Sequence, residues 1–315
     1  MKYAPKTLVT TLLMALFIIA DADAQDKQAD WINKNACTLS TSGTSDLGFL
    51  SKELAGKTMV ALGEASHGTS EFYLQKARMI AYLVQQQEYR TLAFECPGAL
   101  MEPINTYLQS GQGQLKELMQ PLALYNTDEI YRMFKWIRQY NENKADKDKV
   151  VLTGFDHADY WADPFTRDKF MAGNVVADYE AHKRKTIVWA HNVHLVKDTT
   201  AEYQALGAYL KRALGNQFYV VAFDTYRGSV NVMNEGKFEV HTFEREQNSF
   251  SGTLAKARSA TFFLPLDRSA FADSTIALTL IYSNWQGVKS LPIVPGRDVD
   301  ALVFIRNTTA SVKLE

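Results

Sequence analysis

The chain has 315 residues, with 34 lysines and arginines against 35 aspartates and glutamates and a net charge of −1. That balance, with both signs interspersed, excludes the basic footprint of a nucleic-acid binder. Hydrophobic residues make up 46% of the chain, which allows a large core, and the two cysteines, Cys37 and Cys96, have no spacing that suggests a structural zinc site.

Lys2 and Lys6 precede an apolar run over 8–20, and Ala22-Asp23-Ala24 then offers a small-x-small cleavage site. This is the pattern of a secretory signal peptide over residues 1–24, and the run is short for a membrane span. An uncleaved anchor is the alternative. Cleavage would leave an exported catalytic domain over 25–315, periplasmic or secreted and free of the membrane. Export would permit a Cys37–Cys96 disulfide. Cys96 equally suits a small buried apolar position beside a strand.

Trp31 and Ile32 suggest a short helix, and Leu47 to Leu54 a second. Lys57 to Leu62 is a short, partly β-branched apolar run ending at Gly63, which reads as a buried strand. From Ser70 the apolar positions Phe72, Leu74, Ala77, Ile80, Ala81, Leu83 and Val84 recur at helical spacing. Arg90 to Phe94 is the next strand, ending in Glu95. Strand, helix, strand implies a parallel pair with a right-handed crossover.

Met101 to Leu108 and Gln114 to Met119 read as helices. Asp128 to Tyr140 is an amphipathic helix with Ile130, Met133, Phe134 and Ile137 on one stripe, capped by Thr127 or Asp128. After a charged loop over 141–149, Val150 to Thr153 is a third strand leading to Gly154-Phe-Asp156. Asp163 to His182 has room for one helix. Thr186 to Ala190 is a fourth strand ending at His191, Glu202 to Leu214 a helix stopped by Gly215, and Phe218 to Phe223 a fifth strand. Beyond Ser229 the pattern changes. Val230–Met233 and Phe238–Phe243 read as a hairpin, and Ala260–Pro265, Thr275–Tyr282 and Ala301–Arg306 as further strands. The alternation up to residue 223 predicts an α/β fold with a mostly parallel central sheet flanked by helices, a strand-rich C-terminal part and a short helical insertion.

The chemistry gathers at the predicted strand ends, where open α/β sheets build their sites. Glu64 and His67 lie on the loop that opens a helix, a setting that suits a developing oxyanion or a substrate carboxylate. Glu95 ends an apolar strand and so needs a partner, since isolated burial of a carboxylate is costly; His67, Lys76, Arg78 or a metal would serve. His191 and His194 converge only if a turn begins at Asn192. Asp156 adds another acidic group. Each of these residues also has a plain structural reading as a cap, an ion pair or a satisfied core residue. Glu64-Ala-Ser66-His67-Gly68 lacks the glycine of a nucleophile elbow, so Ser66 is the weaker nucleophile candidate. General-base activation of water fits the group set better. The same acids and imidazoles are also a donor set for a divalent metal. No phosphate loop or dinucleotide fingerprint is present.

In combination, Leu62-Gly-Glu64-Ala-Ser-His67-Gly68-Thr-Ser-Glu71-Phe72, Phe94-Glu95, Gly154-Phe-Asp156 and Trp189-Ala-His191-Asn192-Val-His194 resemble the erythromycin esterase family. Phe223-Asp-Thr-Tyr-Arg-Gly228 and Asp300-Ala-Leu-Val-Phe-Ile305 fit its C-terminal pattern. The resemblance runs from about residue 45 to the end. It implies an ester or lactone hydrolase, with His67 as the base that activates water. Glu64, Glu95, His191 and His194 would line the same cleft, and Lys76 would match an assisting basic residue. On this reading Glu64 and Glu95 orient the base or the water, and His191 with His194 polarises the carbonyl. Glu71, Lys76, Arg78 and Asp156 are the candidate substrate-binding groups. The resemblance implies no cofactor, although a divalent metal stays open because the wider superfamily includes metal- and haem-binding members. It implies a small-molecule ester or lactone as partner; no nucleic-acid partner is expected from the charge balance, and a monomer is expected. Only about thirty residues separate Asp156 from the Trp189 motif, where the macrolide esterases carry a longer helical insertion. That departure, with export, points away from erythromycin itself. A non-enzymatic small-molecule binder of the same superfamily is the other reading.

Overall fold

Apolar runs that end in glycine or an acid, alternating with amphipathic stretches, fold here into strands and helices in turn. The computed structural model describes residues 27–315 apart from 199, 201, 202, 268–270, 272 and 273; the leader read over 1–24 lies outside the described residues. A helix over 27–35 (α1) leads to β1 (Cys37–Thr38) and α2 (Leu50–Glu53). Then come β2 (Met59–Leu62), α3 (Ser70–Gln87), β3 (Thr91–Pro97), α4 (Gly98–Ser110), α5 (Leu115–Met119), α6 (Asp128–Glu142) and β4 (Val151–Asp156). Next are α7 (Pro164–His182), β5 (Thr186–Trp189), α8 (Asn192–Leu195), α9 (Leu206–Leu214), β6 (Phe218–Asn234) and β7 (Lys237–Glu244). The chain closes with α10 (Phe250–Ala255), β8 (Thr261–Pro265), β9 (Ile276–Leu280), β10 (Lys289–Ile293) and β11 (Ala301–Thr308).

Among the described residues one sheet has nine strands, in the order β1-β8-β11-β6-β2-β5-β3-β4, with β7 paired to the far part of β6. The run from β11 to β4 is parallel throughout, whereas β1, β8 and β7 add antiparallel edges. β9 and β10 form a separate antiparallel pair. The mostly parallel α/β architecture and the strand-rich C-terminal part are as the sequence predicts. The parallel strands are apolar without alternation because helices cover both faces. In β2, Val60 and Leu62 enter one core cluster while Met59 and Ala61 enter the other, the period-two geometry of a strand. Among the described residues no helix is long and apolar enough to cross a membrane.

Several elements differ from the reading of the sequence. The runs at 218–223 and 230–233 are one 17-residue strand, β6. Its first part pairs with β2 and β11, and its last part with β7. The polar stretch between them, read as a break, contains Gly228 at φ 158, where an added Cβ would lie 2.0 Å from the Thr308 carbonyl oxygen. Close backbone approach requires glycine there. α9 starts at Leu206. Leu74, placed on the apolar stripe of α3, is exposed. Cys37 and Cys96 are both free, so no disulfide joins them. Cys96 is a buried neighbour of Glu95 whose thiol is pushed up to about 12 by burial and by the nearby Asp156 and Glu95 carboxylates.

Candidate active site

The register of the parallel strands places Leu62 opposite Trp189 and Trp189 opposite Phe94, with Gly154 beyond. Glu64, His191, Glu95 and Asp156 therefore emerge side by side at the C-terminal ends of the parallel strands. A cleft of about 1070 Å³ opens there. Its floor is polar, with His67, Glu95, Asp156, Arg167, His191 and His194, while Leu122, Leu124, Trp161, Phe165, Tyr203 and Tyr282 belong to its walls and rim.

Glycines make the first loop. At Gly63 an added Cβ would meet Asn192 Oδ1 at 2.1 Å. Asn192 needs that space: its side chain bridges the Phe223 backbone, donating to the carbonyl (2.7 Å) and accepting from the amide (3.2 Å). Its own amide donates to the Glu64 carbonyl (2.8 Å). The two motif segments are thus stitched together through backbone atoms. The turn that brings His191 and His194 to one place does begin at Asn192, the first residue of α8.

Glu64 is fully buried. Its Oε1 pairs with His67 Nδ1 at 2.7 Å and accepts from the Tyr125 hydroxyl at 3.2 Å, and its Oε2 accepts from Lys76 Nζ at 2.6 Å. Burial alone would raise the Glu64 carboxyl, yet the Lys76 ammonium and His67 hold it below the ordinary carboxylate range. Lys76 lies 4.1 Å from the centre of the Trp189 ring, a cation–π contact in a fully buried setting. Burial brings its ammonium down to about 8 despite the pull of Glu64 and Glu95. His67 Nδ1 faces a carboxylate and so carries the proton. Its Nε2 has no partner among the described residues, and the side chain is 14% exposed at the cleft.

Glu95 is the hub of the second cluster. Its Oε2 accepts from the His191 amide (2.8 Å), and its Oε1 faces His194 Nε2 (3.1 Å) and Arg167 Nη2 (3.2 Å). Burial opposes its charge, but His194, His67 and Arg167 hold the Glu95 carboxyl well below the usual range. His194 Nδ1 lies 2.8 Å from an oxygen of the buried Asp168. Carboxylates on both ring nitrogens outweigh burial and push the imidazole up to about 10, so His194 is an imidazolium. His191 is its opposite. Burial and the proximity of His67, whose ring is 4.9 Å away, bring it down to about 3. Its Nε2 donates to the Ile281 carbonyl (3.2 Å), and its Nδ1 accepts from the Val193 amide (3.3 Å). Arg167 completes the cluster by gripping Asp156 through Nη2 (2.8 Å) and Nε (3.3 Å). Trp161 Nε1 donates to the same carboxylate (2.9 Å).

The structure therefore brings together Glu64, His67, Glu95, Asp156, His191 and His194. It sets three other candidates apart. Lys76 is sealed beneath the site and cannot reach a substrate. Glu71 accepts from the Thr309 amide and hydroxyl (2.7 and 2.8 Å). Arg78 pairs with Asp46 and donates to the Gly43 carbonyl (2.7 Å), which ties down the N-terminal loop. Among the described residues no three His, Cys, Asp or Glu side chains are grouped to hold an ion, and Glu64 and Glu95 each face a cation. Tyr125, Arg167 and Asp168 were missed. Tyr125 has no local signal. Asp168 had one, since it stands on the stripe of Met171, Ala172 and Val175 in α7 and is buried with them; an acid on an apolar stripe demands a partner.

The chain is similar to YbfO of Bacillus subtilis (strain 168), at 34% identity over 157 residues, 48% of this chain and 34% of that protein. The matched stretches span about a quarter to a third of the length of the curated relatives. Among solved structures it is similar to a succinoglycan biosynthesis protein (TM-score 0.83, 21% identity, 93% of this chain and 99% of that one). It is also similar to a mutant of the erythromycin esterase EreC in its open conformation (TM-score 0.67, 16% identity, 86% of this chain and 96% of that one). At such identities the likeness shows the shared fold. The sequence profile of the erythromycin esterase family matches residues 84–164 and 157–308, most of the chain, and the chain belongs to that family.

Proposed function

We propose that this protein hydrolyses an ester or lactone with a water molecule activated by His67. The observation that carries this reading is the Glu64–His67 pair: Nδ1 is committed to a buried carboxylate, and Nε2 is left facing the cleft. An imidazole so oriented takes a proton from water as the water attacks an acyl carbon, and Glu64 stabilises the imidazolium that results. Family membership supports hydrolysis as the reaction class. The apolar walls suit a bulky, uncharged body around the reacting group, and macrolides belong to that class. Lys76 keeps Glu64 ionised, and His191 and His194 fix Glu95 and α8. Export to the periplasm or outside the cell is part of the proposal, on the strength of the N-terminal pattern.

The test is His67→Ala, assayed on p-nitrophenyl acetate, simple lactones and erythromycin by mass spectrometry. Loss of general-base catalysis should lower kcat/KM by about 10²–10⁴-fold, with circular dichroism unchanged. Wild-type turnover in that variant would refute the assignment. A chelator that removes stoichiometric metal and abolishes activity would favour a metal-dependent reaction. Tight binding of one of these compounds with no turnover by the wild type would mark a binding protein.

A further inference from the structure

Hydrolysis needs a donor for the charge that develops on the carbonyl oxygen, and several polar groups at the cleft are already committed. His191 has neither ring nitrogen free: one donates to the Ile281 carbonyl and the other accepts from the Val193 amide. His194 directs both N–H groups at carboxylates, Glu95 and Asp168. The Tyr125 hydroxyl donates to Glu64. Lys76 is sealed away.

Arg167 is different. A guanidinium has five N–H donors. Nε and the two hydrogens of Nη2 go to Asp156 and Glu95. Nη1 has one neighbour, His194 Nε2 at 3.2 Å, a nitrogen that also lies 3.1 Å from Glu95 Oε1. One Nη1 hydrogen is thus directed at His194, and the other has no acceptor among the described residues. The side chain is 22% exposed and lines the cleft with His67.

We propose that Arg167, rather than a histidine, polarises the scissile carbonyl and receives the oxyanion through Nη1; this rests on the hydrolytic reading above. Water oxygen bonds to the acyl carbon while its proton passes to His67 Nε2. The carbonyl π electrons move onto oxygen, where Nη1–H donates to the alkoxide. The tetrahedral intermediate collapses, the C–O bond to the leaving group breaks, and His67 returns its proton to the departing oxygen. Ester plus water gives acid plus alcohol, with no oxidant or cofactor in the balance. Asp156 and Glu95 hold the fork so that the remaining Nη1 donor faces the substrate, which is the preorganisation that makes such groups effective.

The experiment measures kcat and KM of the full chain on p-nitrophenyl acetate for the wild type, Arg167→Ala, Arg167→Lys and His67→Ala. Arg167→Ala should lose about 10²–10³-fold in kcat with KM within about threefold, and added methylguanidinium should restore part of the loss. A positioning role alone would give no such rescue. Arg167→Lys keeps a cation for Asp156 and Glu95, so it serves where the alanine variant fails to fold. It should lose about tenfold in kcat, because a single ammonium cannot hold both carboxylates and still face the substrate. Arg167→Ala or Arg167→Lys at wild-type kcat beside an inert His67→Ala overturns the Arg167 role and leaves the hydrolytic reading standing. A wild type that cleaves no probe overturns both.

Discussion

Glu64 and Glu95 make an instructive pair. They leave the ends of β2 and β3, on either side of β5, and both are charged in spite of burial. Their cationic partners separate them. Lys76 is wholly buried against Trp189, so the Glu64 cluster turns inward and only His67 Nε2 reaches the cleft. Arg167 is partly exposed and holds two carboxylates at once, so the Glu95 cluster turns outward. A buried acid at a strand end becomes the support of a base or the support of a cation according to the partner it meets. Arginine suits the second task because its fork leaves donors to spare, and lysine the first because it is a compact charge.

The largest effect should come from breaking the inward cluster. Lys76→Met strands a buried carboxylate, which should cost about 3–5 kcal/mol of stability. Adding Glu64→Gln should recover much of that loss in urea unfolding, and a strictly additive double variant would show that the two groups are uncoupled. The outward cluster should announce itself in pH dependence. The folded pKa of His194 is raised from 6.5 to about 10, so its stabilisation is fully present below pH 6.5 and disappears as pH climbs through 10. Comparing the unfolding free energy of the wild type with that of His194→Gln across this window, the gap should narrow as pH rises. A gap that stays constant would contradict an imidazolium at this position. The smallest effect belongs to the rim. Trp161 is 61% exposed, and its removal should weaken binding of an aromatic ester by about 0.5–1.5 kcal/mol, about 2- to 13-fold in KM. An unchanged KM would place the substrate body elsewhere in the cleft.

Much of the catalytic end was legible because strand ends carry strong local signals. Apolar runs stopping at Gly63, Glu95, Gly154 and His191 marked both the strands and the groups that follow them. The C-terminal half was harder. β6 continues through a polar stretch because Thr308 and β7 supply partners that no local pattern reveals, and β1 and β10 are too short or too exposed to show periodicity. Glu71 and Arg78 look like site residues because they share a helix with Lys76, yet α3 turns them toward Thr309 and Asp46.

What the amino-acid order determined by itself is the α/β rhythm, the parallel strands and the acids and imidazoles at their ends, since burial patterns and glycine turns are written in neighbouring residues. Only the tertiary structure decided which acid meets which cation. That choice depends on side chains far apart in the chain, as Glu95 and Arg167 are at 72 residues, and on the protonation that each imidazole acquires from its surroundings. His191 and His194 stand three positions apart, yet burial leaves one neutral while two carboxylates keep the other charged.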